Sequence, residues 1–215
     1  MFMDFSKSRS VLCAAFMAST LIACSGDNNN KPKVTEPEYL PIANPEMSLP
    51  PDVGEINLLA ENFDLADVGY QQSEYFLEGT ASAFTNLSEL ADDGAWSVEP
   101  GEEATYKTRI VVKRPIDPAD FSGDVLVEWL NVTAGFETPP SWGTGQLEMR
   151  RGGAVWVGVS AQIVGIEGNP NGGLPLPLYL KAVDPERYGS LVHPGDSFSY
   201  DMFTQVAQAI RNPEG

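Results

Sequence analysis

The chain has 215 residues, enough for one domain with a real core, and its 13 Lys+Arg against 30 Asp+Glu give a formal charge of -17. That balance argues against a nucleic-acid backbone or an anionic lipid surface as partner, because each phosphate contact calls for a Lys or Arg. The 42% hydrophobic and 10% aromatic content is that of a globular protein, and the charge speaks to solubility rather than fold.

The first segment reads as an address. Lys7 and Arg9 form a basic start, and Val11 to Ala23 is an apolar run too short for a comfortable membrane span. It ends in Leu21-Ile22-Ala23-Cys24, which resembles the lipobox of bacterial lipoproteins. That resemblance implies removal of residues 1–23, lipid on Cys24, and an exported protein held at a membrane, outer membrane or periplasm-facing. Cys13 would leave with the signal, so the remaining chain would have no thiol for a disulfide, a nucleophile or a Cys-based metal site. Residues 24–55 are rich in Asn, Pro and Glu, a composition that buries too little apolar surface to offset ordering, and read as a tether.

The folded part is expected from about Ile56, as one domain over 56–215. Ser73 to Phe84 has strand composition with a bend at Gly79, Asn86 to Ala104 reads as an acidic loop, and Tyr106 to Arg114 alternates as a second strand stopped by Pro115. The two should pair antiparallel. Val125-Leu126-Val127-Glu128-Trp129-Leu130 and Ala154-Val155-Trp156-Val157-Gly158-Val159-Ser160 are near-continuous apolar runs, the habit of strands buried in a parallel sheet. Residues 136–153 are long enough for the crossover, with a helix over Trp142 to Arg151, Leu147 inward and Gly152-Gly153 as its stop.

The segment 161–196 is long and punctuated by Gly and Pro, as binding loops and lids are, with short helices expected within Leu178–Val183 or Pro185–Tyr188. The last element is an amphipathic helix. Asp196, Ser197 or Ser199 could cap it, Phe203, Val206, Ala207 and Ile210 form its apolar stripe, and Arg211 lies in its last turn.

Three separated stretches resemble a little-characterised branch of the α/β-hydrolase superfamily, the alpha/beta hydrolase domain proteins. They are Val127-Glu128-Trp129-Leu130-Asn131-Val132, Trp156-Val157-Gly158-Val159-Ser160-Ala161-Gln162, and Tyr188 through Asp201. The resemblance implies an α/β fold: the amino-terminal half of a hydrolase sheet, an antiparallel pair followed by parallel strands with crossover helices, truncated. It implies ester or related acyl hydrolysis by a serine nucleophile on a Gly-x-Ser-x-[Gly/Ser] elbow, with acid and base later in the chain. No Gly-x-Ser-x-Gly occurs before Gly215, so the nucleophile, acid and base are expected beyond that residue and the chain alone is expected to be inactive.

Gly158-Val159-Ser160-Ala161-Gln162 departs from the elbow at its last position, and Ser160 reads as a small residue ending a buried strand. His193 precedes any candidate elbow, whereas the family's base follows it, so His193 and Asp196 are candidates for the substrate loop, where His193 orders its own loop or touches substrate. The family's oxyanion hole takes one backbone N–H from the loop here spanning Asn131 to Gly135, which makes Asn131, Val132 and Thr133 the candidates; an ordinary βα turn is the competing reading. No metal-ligand spacing stands out and no cofactor is called for. A small ester-like substrate is the expected partner. The alternative is a non-catalytic surface lipoprotein that binds a glycan or an apolar ligand through its long loop.

Overall fold

The computed structural model describes residues 42–59, 61–169 and 177–212. The signal segment 1–23, Cys24, the tether up to residue 41 and the Gly/Pro-rich stretch 170–176 lie outside them. Among the described residues no helix is long and apolar enough to cross a membrane.

Five strands form one mixed sheet: β1 (Glu46–Ser48), β2 (Tyr70–Asn86), β3 (Val98–Pro115), β4 (Val125–Trp129) and β5 (Val155–Val159). Their spatial order is β1-β2-β3-β5-β4. β2 and β3 pair antiparallel from Tyr70↔Pro115 to Asn86↔Val98. β4 and β5 pair parallel from Val125↔Val155 to Trp129↔Val159, with helix α1 (Pro140–Arg151) as their crossover. The expected α/β architecture, antiparallel strands leading into a parallel pair, is therefore present.

The differences from expectation have physical causes. Fold begins earlier than Ile56: β1 pairs with β2, and the carbonyls of Pro51 and Val53 accept hydrogen bonds from Arg187. Asn86 and the segment from Val98 to Ala104, both within the expected acidic loop, are strand, because the β2–β3 ladder runs on to Asn86↔Val98 after a bulge at Ser82/Phe84. β5 is central. It takes hydrogen bonds from β3 on one side and β4 on the other, which leaves β4 with the open edge.

In α1 the buried residue is Trp142, while Leu147 is 46% exposed. A large indole one turn from the start fills the space over the sheet, and the helix rotates to suit it. Gly153 (φ +69) closes this helix where only a residue without Cβ fits, since a Cβ would sit 2.1 Å from the Asp120 carbonyl oxygen.

Four further helices follow: α2 (Ile163–Glu167), α3 (Leu180–Val183), α4 (Pro185–Tyr188) and α5 (Ser199–Arg211). None of Asp196, Ser197 and Ser199 caps α5. The chain enters it through a 3-10 turn, Asp196–Phe198, with Phe198 at the cap position and no side-chain cap bond. Its inner face adds Met202 to Val206, and Phe203 and Ile210 pack alongside.

The sheet thus has two covered faces. On one, α5 lies over Leu77, Ile110, Val157 and Val159. On the other, Trp142 of α1 meets Tyr70, Val111 and Trp156, and Ile166, Leu180, Tyr188 and Leu191 pack on Phe76. Burial of this apolar surface drives the assembly, at about 25 cal/mol per Å² removed from water.

Candidate functional site

β4 and β5 run in the same direction, so the loops following them, Leu130 to Pro139 and Ser160 to Gln162, emerge together at the carboxyl edge of the sheet. The first is a closed turn. Asn131 and Thr138 exchange backbone hydrogen bonds at 3.0 and 2.9 Å, and Gly135 N–H donates to the Val132 carbonyl at 2.9 Å with Gly135 at φ +79. The Asn131 side-chain oxygen accepts the Thr133 N–H at 3.1 Å. Of the three candidate residues, Asn131 and Thr133 therefore have their N–H groups occupied. The Val132 N–H meets no acceptor among the described residues, and its side chain is buried.

Beneath this turn lies a buried charge network that sequence reasoning missed. Arg109 of β3 is fully buried, and its Nη1 donates to Glu74 Oε1 of β2 at 2.8 Å. Its Nη2 donates to Glu137 Oε2 on the loop after β4, and its Nε to Ser160 Oγ at 2.9 Å. Ser160 Oγ donates in turn to Glu137 Oε2 at 2.9 Å. Arg187 of α4 reaches the other oxygen of Glu74 at 2.8 Å, and Tyr188 Oη donates to Glu74 Oε1 at 3.0 Å.

Two guanidiniums and two carboxylates make the cluster neutral as a whole, which is the condition for keeping charges away from water. Burial alone would pull the Arg109 pKa down; the facing carboxylates Glu137 and Glu74 more than reverse this and raise it. Burial raises the Tyr188 pKa against the opposing pull of Arg109. Within this cluster one side-chain atom lacks a partner among the described residues: Glu137 Oε1, which lies against Gly165 of α2 so closely that a Cβ there would sit 2.5 Å from it.

The remaining candidates flank the same edge. Ser160 is fully buried, and its hydroxyl is engaged by Arg109 and Glu137 rather than presented to a cleft. His193 is 5% exposed. Its Nδ1 accepts the Gly195 N–H at 3.2 Å, which assigns the ring proton to Nε2, donating to the Ala161 carbonyl at 3.1 Å. Burial lowers the His193 pKa, against the opposing effects of the Ala161 carbonyl, Asp196 and Glu167. Asp196 accepts the Ile163 N–H at 2.8 Å and so caps α2. Both residues tie the 193–196 loop to the segment after β5. Among the described residues no three His, Cys, Asp or Glu side chains are grouped to hold a metal ion.

The signal for the missed cluster was present in the letters. Arg109 sits between Thr108 and Ile110 in a strand paired on both sides, where each face is covered, so an unpaired charge there would be untenable. What sequence could not supply was the partners, which come from 35, 28 and 51 residues away.

A second group of buried charges supports the crossover. Glu128 of β4 accepts the N–H groups of Ser141 and Trp142 at 2.6 and 3.1 Å, satisfying the first turn of α1, and also the indole N–H of Trp156 at 2.8 Å. Lys113 of β3 lies between the rings of Trp142 and Trp156, 4.8 and 5.3 Å from their centroids, with its ammonium on Glu61. Burial lowers its pKa.

No curated protein and no solved structure gives a significant match to the chain. The family model described as alpha/beta hydrolase domain matches residues 40–215, and the chain belongs to that family.

Proposed function

We propose that the protein is an ester or related acyl hydrolase in which the turn after β4 forms half of an oxyanion hole, and that it is held at a bacterial membrane by lipid on Cys24. The observation that supports this reading is the turn itself: a backbone N–H at Val132 without an acceptor, at the carboxyl edge of a parallel pair. That is the edge where α/β folds place ligands. Asn131 shapes the turn by holding Thr133, and the Glu137–Arg109–Ser160 contacts fix its far end to β3 and β5. A fixed donor needs no reorganisation as negative charge develops on the substrate oxygen, and one such donor contributes about 3 kcal/mol to the transition state.

The chain contains no Gly-x-Ser-x-Gly, and the nucleophile belongs on an elbow after a further strand that pairs with the open edge of β4, followed by the acid and base. His193 and Asp196 shape the substrate loop rather than move protons. The test is turnover of p-nitrophenyl esters by polypeptide extended through the next strand, with this 215-residue chain in parallel. Extended protein should turn over and Val132→Pro, which removes the N–H, should lower kcat about a hundredfold with little change in KM. Fluorophosphonate labelling of Ser160 in the 215-residue chain would overturn the assignment. Incorporation of labelled fatty acid in the native host, abolished by Cys24→Ala, tests the anchor.

A further inference from the structure

β5 ends at Val159, level with Ile110 of β3, so β3 before Ile110 and β2 after Tyr75 run on past the end of the parallel pair. The base of this overhang is held by α5. Asp201 accepts the Ser82 N–H at 2.7 Å, Gln205 donates to the Thr80 carbonyl at 2.8 Å, and Phe198 and Met202 pack on Ala81, Ala83 and Tyr106. Beyond that the two strands stand alone. Every residue from Phe84 to Glu103 is exposed, and the ribbon reaches roughly 25 Å past Tyr106 at the usual rise of a strand.

Two features of this arm point to a partner. It carries large apolar side chains with nothing over them: Leu87, Trp96 and Val98 are 60%, 51% and 43% exposed, and Phe84 and Leu90 are exposed as well. Phe84 and Pro100 face each other across the ladder and share a face with Val98, which is paired with Asn86. An isolated two-stranded ribbon is marginal in water, and apolar side chains at its tip gain nothing until something covers them. The second feature is charge. Glu89, Asp92, Asp93, Glu99, Glu102 and Glu103 are all exposed, none is in an ion pair among the described residues, and no Lys or Arg occurs between Gly79 and Tyr106.

We propose that this arm is a docking site for a polypeptide segment that carries both Lys/Arg and apolar side chains, bound beside the carboxyl edge of the sheet. Charge complementarity selects this occupant. A second copy of a chain with net charge -17 would bring the same carboxylates face to face, and anionic lipid would be repelled in the same way. The apolar tip covers the partner's hydrophobic residues and supplies most of the affinity, with Trp96 as anchor. The six carboxylates set its sign and speed its arrival. The proposal stands whether or not the protein is a hydrolase.

The test is calorimetric titration of the whole chain with a Lys/Leu amphipathic peptide, with a Glu/Leu peptide of equal length, and with phosphatidylcholine vesicles. Only the first should bind. Trp96→Ala with Leu87→Ser should weaken it about tenfold, the effect of removing an anchor. Glu89→Gln with Asp92→Asn and Asp93→Asn should weaken it more than Asp52→Asn with Asp64→Asn and Asp67→Asn, which removes the same charge away from the arm. These residues are exposed, so circular dichroism should be unchanged in all variants. Equal losses from the two charge sets, or no loss from the apolar pair, would reduce the binding to general charge attraction and overturn the proposal. Preference for the vesicles, or self-association abolished by the apolar substitutions, would assign the tip to lipid or to a second copy and overturn it too.

Discussion

Arg109 and Glu74 meet diagonally across the β2–β3 ladder at 2.8 Å with side chains essentially out of contact with water, and Glu74 also holds Arg187. One carboxylate thereby joins β2, β3 and α4. Removing the guanidinium leaves Glu137 buried without a cation and Glu74 with Arg187 as its remaining cation. Arg109→Met should destabilise the domain by about 3–5 kcal/mol, read as a lower urea midpoint with an unchanged m-value. A loss under 1 kcal/mol would mean that the cluster is hydrated in solution.

Lys113 provides the contrast. Its partner Glu61 lies close enough to the surface to meet water and keeps the Trp142 indole N–H at 2.5 Å when the lysine is gone. The two indoles that flank the ammonium would pack a thioether equally well. Lys113→Met should therefore change stability by no more than about 1 kcal/mol, and comparison with Arg109→Met separates a replaceable buried charge from an indispensable one.

Acid should weaken the fold through His193. Its native pKa lies below the ordinary 6.5, so near and below that value the unfolded chain binds more protons than the native one. Stability attributable to His193 is thus fully present above about pH 6.5 and is lost as the pH falls through the lower native value. Protonation would also replace the acceptor at Nδ1 by a donor facing the Gly195 N–H. The groups opposing this effect are Asp196, Glu167 and Glu137. His193→Gln should flatten the dependence of Tm on pH between 7 and 5, and an unaltered slope would contradict this assignment.

Gly165 and Glu137 should behave as a coupled pair. A methyl group at 165 collides with the Glu137 carboxylate, which Arg109 and Ser160 prevent from moving away. Gly165→Ala alone should cost about 1–3 kcal/mol, as overpacking does, and much less in a Glu137→Ala background. Additive effects would show that the loop after β4 yields easily.

The fold was legible where the local pattern decided it. Val125–Trp129 and Val155–Val159 read as shielded parallel strands; they pair in parallel, and β5 is buried, whereas β4 at the edge leaves Leu126 40% exposed. The interval between them had the length for a crossover and contains α1. Sequence spacing failed where a single large or charged side chain chose its own partner. Trp142 turned α1 away from Leu147, Asp196 was drawn to the Ile163 N–H instead of to α5, and the segment with Glu99, Glu102 and Glu103 extends a ladder its composition disfavours. The turn at Asn131–Gly135 was placed by resemblance, but which N–H lacked an acceptor depended on the Asn131 side chain and on Thr138.

Glu128 has a consequence for how the chain acquires its shape. One carboxylate on β4 serves the first turn of α1 and a ring nitrogen on β5, with every partner within 28 residues along the chain. The loop to be closed is short, so these contacts can form before the longer-range ones that join β2 to α4 and α5. Strand, helix and strand then act as a seed on which the rest condenses, and Glu128→Gln should slow refolding more than it speeds unfolding.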